Sequence, residues 1–151
     1  MSLRVRLNDD MKNAMRAKDE RVLATVRLIL AALKDKDIAA RPKGITAIPD
    51  DEIMQMMNGM IKQRRDSIVL YQQGNRPELA AKEQGEIDII QSYLPQQMSS
   101  EEVAAAVKAV IAEIGASSVR DMGRVMAALK ERFTGRMDFA AVSGVVKQNL
   151  T

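Results

Sequence analysis

Residues 61–98 read IKQRRDSIVLYQQGNRPELAAKEQGEIDIIQSYLPQQM. This stretch predicts two helices broken at Gly74-Asn75-Arg76-Pro77, with Gly74 as a left-handed cap and Pro77 opening the next helix. Tyr93-Leu94-Pro95 stops the second helix, because the residue before a proline is pushed out of the α region. At a helical period, Ile53, Met57, Met60, Ile68 and Tyr71 share one face, and Arg64 falls in the middle of it. On the following helix Leu79, Ile90 and Leu94 form the apolar stripe, with Glu83 and Glu86 inside it. Folding the two helices back around residue 75 brings Arg64 opposite Glu86, with Glu83 one turn away. An inward arginine facing inward glutamates reads first as a structural ion pair that sets helix register.

Working outward, the flanking helices follow from spacing. Leu3, Leu7, Met11 and Met15 recur four apart, predicting a first amphipathic helix that ends near Lys18. Asp19 caps a second helix with Val22, Val26, Ile29, Leu30 and Leu33 on its face, fraying after Ile38 ahead of Arg41-Pro42-Lys43-Gly44. Asp50, Asp51 and Glu52 open the third helix, where negative charge complements the macrodipole. Beyond Pro95, Ser99 with Glu102 is a capping box for a fifth helix that Gly115 ends. A sixth helix starts at Ser118 with Asp121 and carries Met122, Met126, Leu129 and Phe133. After the Thr134-Gly135-Arg136 turn, Asp138 caps a seventh that buries Val142, Val145 or Val146, and Leu150. No strand period survives. The expectation is an all-α chain: a four-helix amino-terminal domain with a long antiparallel hairpin over 1–95, then a three-helix domain over 96–151.

The order IKQRRDSI, GNRPELAAKE, YLPQQMS resembles the YqeY family without a gap over almost forty residues. A second block, Ala116-Ser117-Ser118 through Met122-Gly123-Arg124-Val125-Met126, resembles the start of the tail module of GatB, a subunit of the tRNA-dependent amidotransferase. The resemblance covers nearly the whole chain. It implies a tail domain of the GatB type, a link to a carbon–nitrogen ligase with glutamine as amido-N-donor, and contact with tRNA. It does not imply catalysis by this chain alone, which lacks the catalytic portion of GatB. Met137-Asp138-Phe139 departs from the pattern, since many relatives carry a small residue and a second glycine there. The carry-over to Gly135 and Arg136 is therefore weaker than that to Gly123 and Arg124.

Composition narrows the chemistry further. The 151 residues contain no His and no Cys, which removes a histidine base, a cysteine nucleophile, disulfides and the usual zinc sites. Catalytic residues, metal and cofactor are all expected to be absent. Aromatics make up 3% of the chain and Trp is missing, so the core must be aliphatic and methionine. Eleven methionines fit irregular gaps between helices, or else an adaptable contact surface. No apolar run nears the ~20 residues that cross a bilayer. The start lacks a signal-peptide core, and Asp9 and Asp10 argue against a transit peptide, so a cytoplasmic location is expected.

The net charge of +3 decides little, so a nucleic-acid role must rest on local clustering. One cluster is Lys62 and Arg65, on the outward side of helix three, with Asp66 to neutralise them. A second lies on helix six, where Arg120, Gly123, Arg124 and Ala127 fall away from the apolar stripe, with Glu131 among them. Small side chains flanked by arginines admit a phosphate backbone or, equally, a neighbouring helix. Arg136 and Lys147 extend this strip. The preferred reading is a non-catalytic binder of tRNA or another structured RNA. An adaptor docking onto an amidotransferase or other protein is the alternative.

Overall fold

A computed structural model describes residues 2–151, and seven α-helices account for most of them. They are α1 (Leu3–Ala17), α2 (Glu20–Ala40), α3 (Asp50–Gln73), α4 (Pro77–Gln91), α5 (Ser100–Ile114), α6 (Met122–Arg132) and α7 (Phe139–Leu150). No strand occurs among the described residues, so the chain is all-α. It divides into two compact units, Met1–Leu94 and Pro95–Thr151.

In the first unit, Leu7, Val26, Ile29, Ile53, Met57, Ile87 and Ile90 close a core shared by all four helices. Met11 packs against this core, whereas Met15 is 50% exposed, contrary to the four-residue repeat. Ala14 is buried in its place, because a repeat of four advances around the helix by more than a full turn and drifts off the buried face. Helix α2 also runs past Ile38. It continues to Ala40 and tightens into a 3-10 turn over Arg41–Lys43, with Pro42 in that turn.

The break after α3 uses a different residue from the one expected. Gly74 sits at φ −84°, and the left-handed residue is Asn75 at φ 55°. Asn tolerates that region better than most side chains. The Arg76 amide bonds the Tyr71 carbonyl at 2.8 Å and the Asn75 amide bonds that of Gln72 at 3.2 Å, closing a Schellman motif with Asn75 after the cap. Pro77 then starts α4 as its sequence position requires.

The second unit encloses its own core of Val107, Val110, Val125, Leu129, Phe139, Val142, Val146 and Leu150. Ser99 and Glu102 form the capping box of α5, and Gly115 ends that helix at φ 69°. A 3-10 turn over Val119–Asp121 precedes α6, so the helix proper begins at Met122. Val125 and Leu129 are its buried centre, with Met122, Met126 and Phe133 packed at the margin. The expected stripe is thus rotated by about one residue, toward the branched side chain that fills the core. Asp138 caps α7 by accepting from the Ala140 amide. Among the described residues Met15 is the one exposed methionine; the others are buried or half-buried.

Candidate nucleic-acid interface

With Val125 and Leu129 turned inward, Arg120, Gly123, Arg124 and Ala127 are all solvent-exposed along the turn and the first part of α6. A Cβ added at Gly123 meets nothing within 4 Å, so no other helix of the second unit packs on that glycine. Asp121 organises the approach to it. One of its oxygens accepts from the amides of Ser117 (2.9 Å) and Ser118 (3.4 Å), and the other accepts from Arg124 Nη2 at 2.8 Å. The amide of Ser117 first, and then the Arg124 guanidinium, hold the Asp121 carboxyl below the usual range. Arg124 is therefore tethered at one nitrogen while its side chain remains 61% exposed. Arg120 makes no ion pair among the described residues.

The remaining candidates differ in how committed they are. Arg136 donates from Nε to the Gln96 carbonyl at 3.1 Å, and its own carbonyl accepts from the Met98 amide at 2.9 Å. It ties the start of the second unit to the turn before α7, a turn that Gly135 enters at φ 75°. Lys147 is exposed on α7 without an ion pair among the described residues. In the first unit Lys62 is exposed but paired with Asp66 at 3.5 Å, and Arg65 is exposed beside it.

Arg64 stands opposite Glu86 as the hairpin register requires. Its Nε donates to Glu86 Oε2 at 2.8 Å, its Nη1 donates to the Met60 carbonyl at 3.1 Å, and Glu83 lies 3.9 Å away. All three side chains are largely buried. The single guanidinium of this cluster is turned onto its own helix and the two glutamates.

Two polar clusters escaped the sequence. Arg4 grips Asp37 through both guanidinium ends at 2.7 and 3.1 Å and also donates to the Ile48 carbonyl. Asp37 in turn accepts from the Ile48 amide at 2.9 Å, which pins the loop before α3. The bond from Arg4 is the main reason the Asp37 carboxyl is held below its ordinary value, followed by the Ile48 amide. In the second cluster the buried Tyr93 hydroxyl donates to Asp10 Oδ2 at 2.6 Å, and Arg6 lies 4.6 Å over its ring. Burial pushes the Tyr93 phenol well above its ordinary value, and the bond to Asp10 adds to that. These pairs are separated by 33 and 83 residues, a range at which local periodicity carries no signal. The scarcity of aromatics was the one available hint for Tyr93.

No group of three or more acidic, histidine or cysteine side chains among the described residues is arranged to hold a metal ion. Among the described residues no helix is long and apolar enough to cross a membrane.

Comparison with known proteins adds the lineage. The family described as Yqey-like protein matches residues 4–150. The curated protein "Altered inheritance of mitochondria protein 41, mitochondrial" of Saccharomyces cerevisiae is 40% identical over 97 residues, 64% of this chain and 51% of the relative. Its counterpart in Vanderwaltozyma polyspora is 39% identical over 88 residues, covering 58% and 46% of the two chains. That of Lachancea thermotolerans is 34% identical over 114 residues, covering 74% and 59%. The chain thus spans about half the length of the curated relatives it matches. Each of these relatives is named a mitochondrial protein, which overturns the cytoplasmic expectation. That expectation rested on the residues near the start of the chain, and these say little about compartment.

Proposed function

The chain belongs to the Yqey-like protein family, and we propose that it is a non-catalytic helical accessory protein that grips structured RNA, tRNA foremost. The observation that carries this reading is the open α6 surface, where Arg120 and Arg124 flank Gly123 and Ala127 and no other helix of the second unit packs on the glycine. A phosphate backbone approaches closely over small side chains, and arginine forks match phosphate oxygens. Without Trp, and with 3% aromatics, base stacking on single strands has little support. Recognition by shape and backbone contact suits a folded RNA. The tie to the glutamine-dependent tRNA amidotransferase belongs to the same proposal: this chain supplies grip, and any amide transfer is done by a larger enzyme. The names of the yeast relatives support a mitochondrial setting.

The test is tRNA affinity measured across salt concentrations. Removing one arginine–phosphate interaction should reduce the steepness of the log–log salt dependence by about 0.7–0.9. Replacing both Arg120 and Arg124 with Ala should therefore flatten it by the sum for two such interactions. Arg132→Ala is the control, because Glu113 holds that guanidinium at 2.6 and 2.8 Å, and it should leave the slope nearly unchanged. An unchanged slope in the double variant removes this surface from consideration.

A second reading, a protein-interaction adaptor, is favoured by one feature. Leu70, 67% exposed, adjoins Val69, 51% exposed, near the end of α3. It predicts partner binding that resists salt and disappears on replacing both residues with Ser.

A further inference from the structure

Independently of the RNA reading, α2 carries two seams of the same spacing. The inner one, Val22, Val26, Ile29 and Leu33, advances by four, three and four residues and packs into the core of the first unit. Two residues on, Ala24, Leu28, Ala31, Asp35 and Ile38 repeat that spacing. An offset of two residues is about 200° of helix, so the two seams cannot face one core. All five residues of the outer seam are exposed, Leu28 at 46% and Ile38 at 44%. At 1.5 Å per residue the seam runs for about 21 Å along the helix. Steps of three and four are the spacing at which one helix packs along another. Single apolar side chains on a surface are ordinary, whereas a seam in helical register is a surface shaped for a helix.

Charge decides what kind of helix fits. Arg4 of α1 holds Asp37, which marks the side of α2 that faces α1. At 100° per residue Arg27 and Lys34 fall between that side and the outer seam, and Arg21 falls on the seam's other margin. All three are exposed, and none forms an ion pair among the described residues. The two acids of this face, Glu20 and Asp35, lie on the line of the seam itself, so its margins are basic. A second copy fits poorly, because two-fold antiparallel pairing sets the Arg27–Lys34 margin against itself, base on base. A lipid surface fits poorly as well, since Asp35 would be pressed into the apolar layer. A helix with its own apolar seam and acidic margins answers both the spacing and the charge.

We propose that the outer seam of α2 docks an amphipathic helix of a partner protein, one with aliphatic residues at coiled-coil spacing and carboxylates on its margins. The test is fluorescence anisotropy of a labelled three-heptad peptide, with leucine at its a and d positions and glutamate at e and g, titrated with the full chain. Saturable binding that weakens with salt is expected, at least about tenfold tighter than that of the same peptide with lysine at e and g. Replacing Leu28 and Ile38 together with Ser should weaken it at least about tenfold. Arg27→Glu combined with Lys34→Glu should weaken it about threefold to tenfold. Val5→Ser alters a comparably exposed apolar residue on α1, 48% exposed, and should change it by less than about twofold. The proposal is overturned if the glutamate peptide shows no saturable binding, if the lysine peptide binds as tightly, or if Val5→Ser matches the loss at Leu28 and Ile38. Loss in the Leu28 and Ile38 variant of self-association, of binding to vesicles of phosphatidylglycerol and phosphatidylcholine, or of tRNA binding would assign the seam to a second copy, a membrane or RNA. Each of these also overturns the proposal.

Discussion

Arg64 and Arg124 each place a guanidinium nitrogen 2.8 Å from a carboxylate, yet their side chains are 13% and 61% exposed. In the hairpin of the first unit, Arg64 also donates to its own helix and has a second glutamate near it, so its donors are turned inward. On α6 of the second unit, the carboxylate that meets Arg124 is already bonded to two loop amides, and the rest of the guanidinium faces water. The contrast teaches that a contact distance does not define a role. The neighbours and the solvent decide whether an arginine fixes register or stays available to a ligand.

The largest expected effect breaks the inward arrangement. Arg64→Ala strands Glu86 and Glu83, and should cost an amount at the low end of about 3–5 kcal/mol, because both acids keep some solvent contact. Urea unfolding measures it. Arg124→Ala, by contrast, should change stability by no more than about 0.5 kcal/mol. Equal losses in the two variants would erase the distinction drawn between these arginines.

A smaller effect sharpens the comparison through pH. Because the folded Asp37 carboxyl is depressed, its bond to Arg4 contributes stability that is fully present above the ordinary aspartate range, near 3.9. That contribution is lost as pH falls through the lower folded value. Asp37→Asn should be about 1 kcal/mol less stable at neutral pH, a figure reduced for the partial exposure of Arg4. The gap should close in acid, and a gap that persists at the lowest pH would contradict the assignment. Smallest of all is a cap exchange. Lys18 ends α1 at φ 56°, where the second unit uses Gly115 at φ 69° to end α5. Lys18→Gly should raise stability by roughly 0.5 kcal/mol, seen as a modest rise in melting temperature.

Legibility in the sequence follows the same division. The Arg64–Glu86 pairing is readable because two helical periods and one turn fix the register, and each charge interrupts an apolar stripe. The caps at Asp19, Ser99, Gly115 and Asp138 are readable because capping chemistry is local. Asn75 is hidden because Gly74 beside it also fits a left-handed cap, and only the Arg76–Tyr71 bond shows which residue takes it. Met15 is misplaced by spacing alone because a repeat of four overshoots the helical period. Arg4–Asp37 and Tyr93–Asp10 depend on how elements pack, which spacing along the chain does not encode. For α6, the sequence leaves the glycine face open to either a helix or a ligand, and within the second unit the space over Gly123 is free of both.

Mapping purified tRNA onto the backbone amides of the full chain by NMR at physiological salt decides whether α6 grips RNA. Shifts should concentrate at Arg120, Gly123, Arg124 and Ala127, and disappear when both arginines become alanine. Shifts confined to the α3–α4 hairpin, or no saturable shift at any residue, would contradict it.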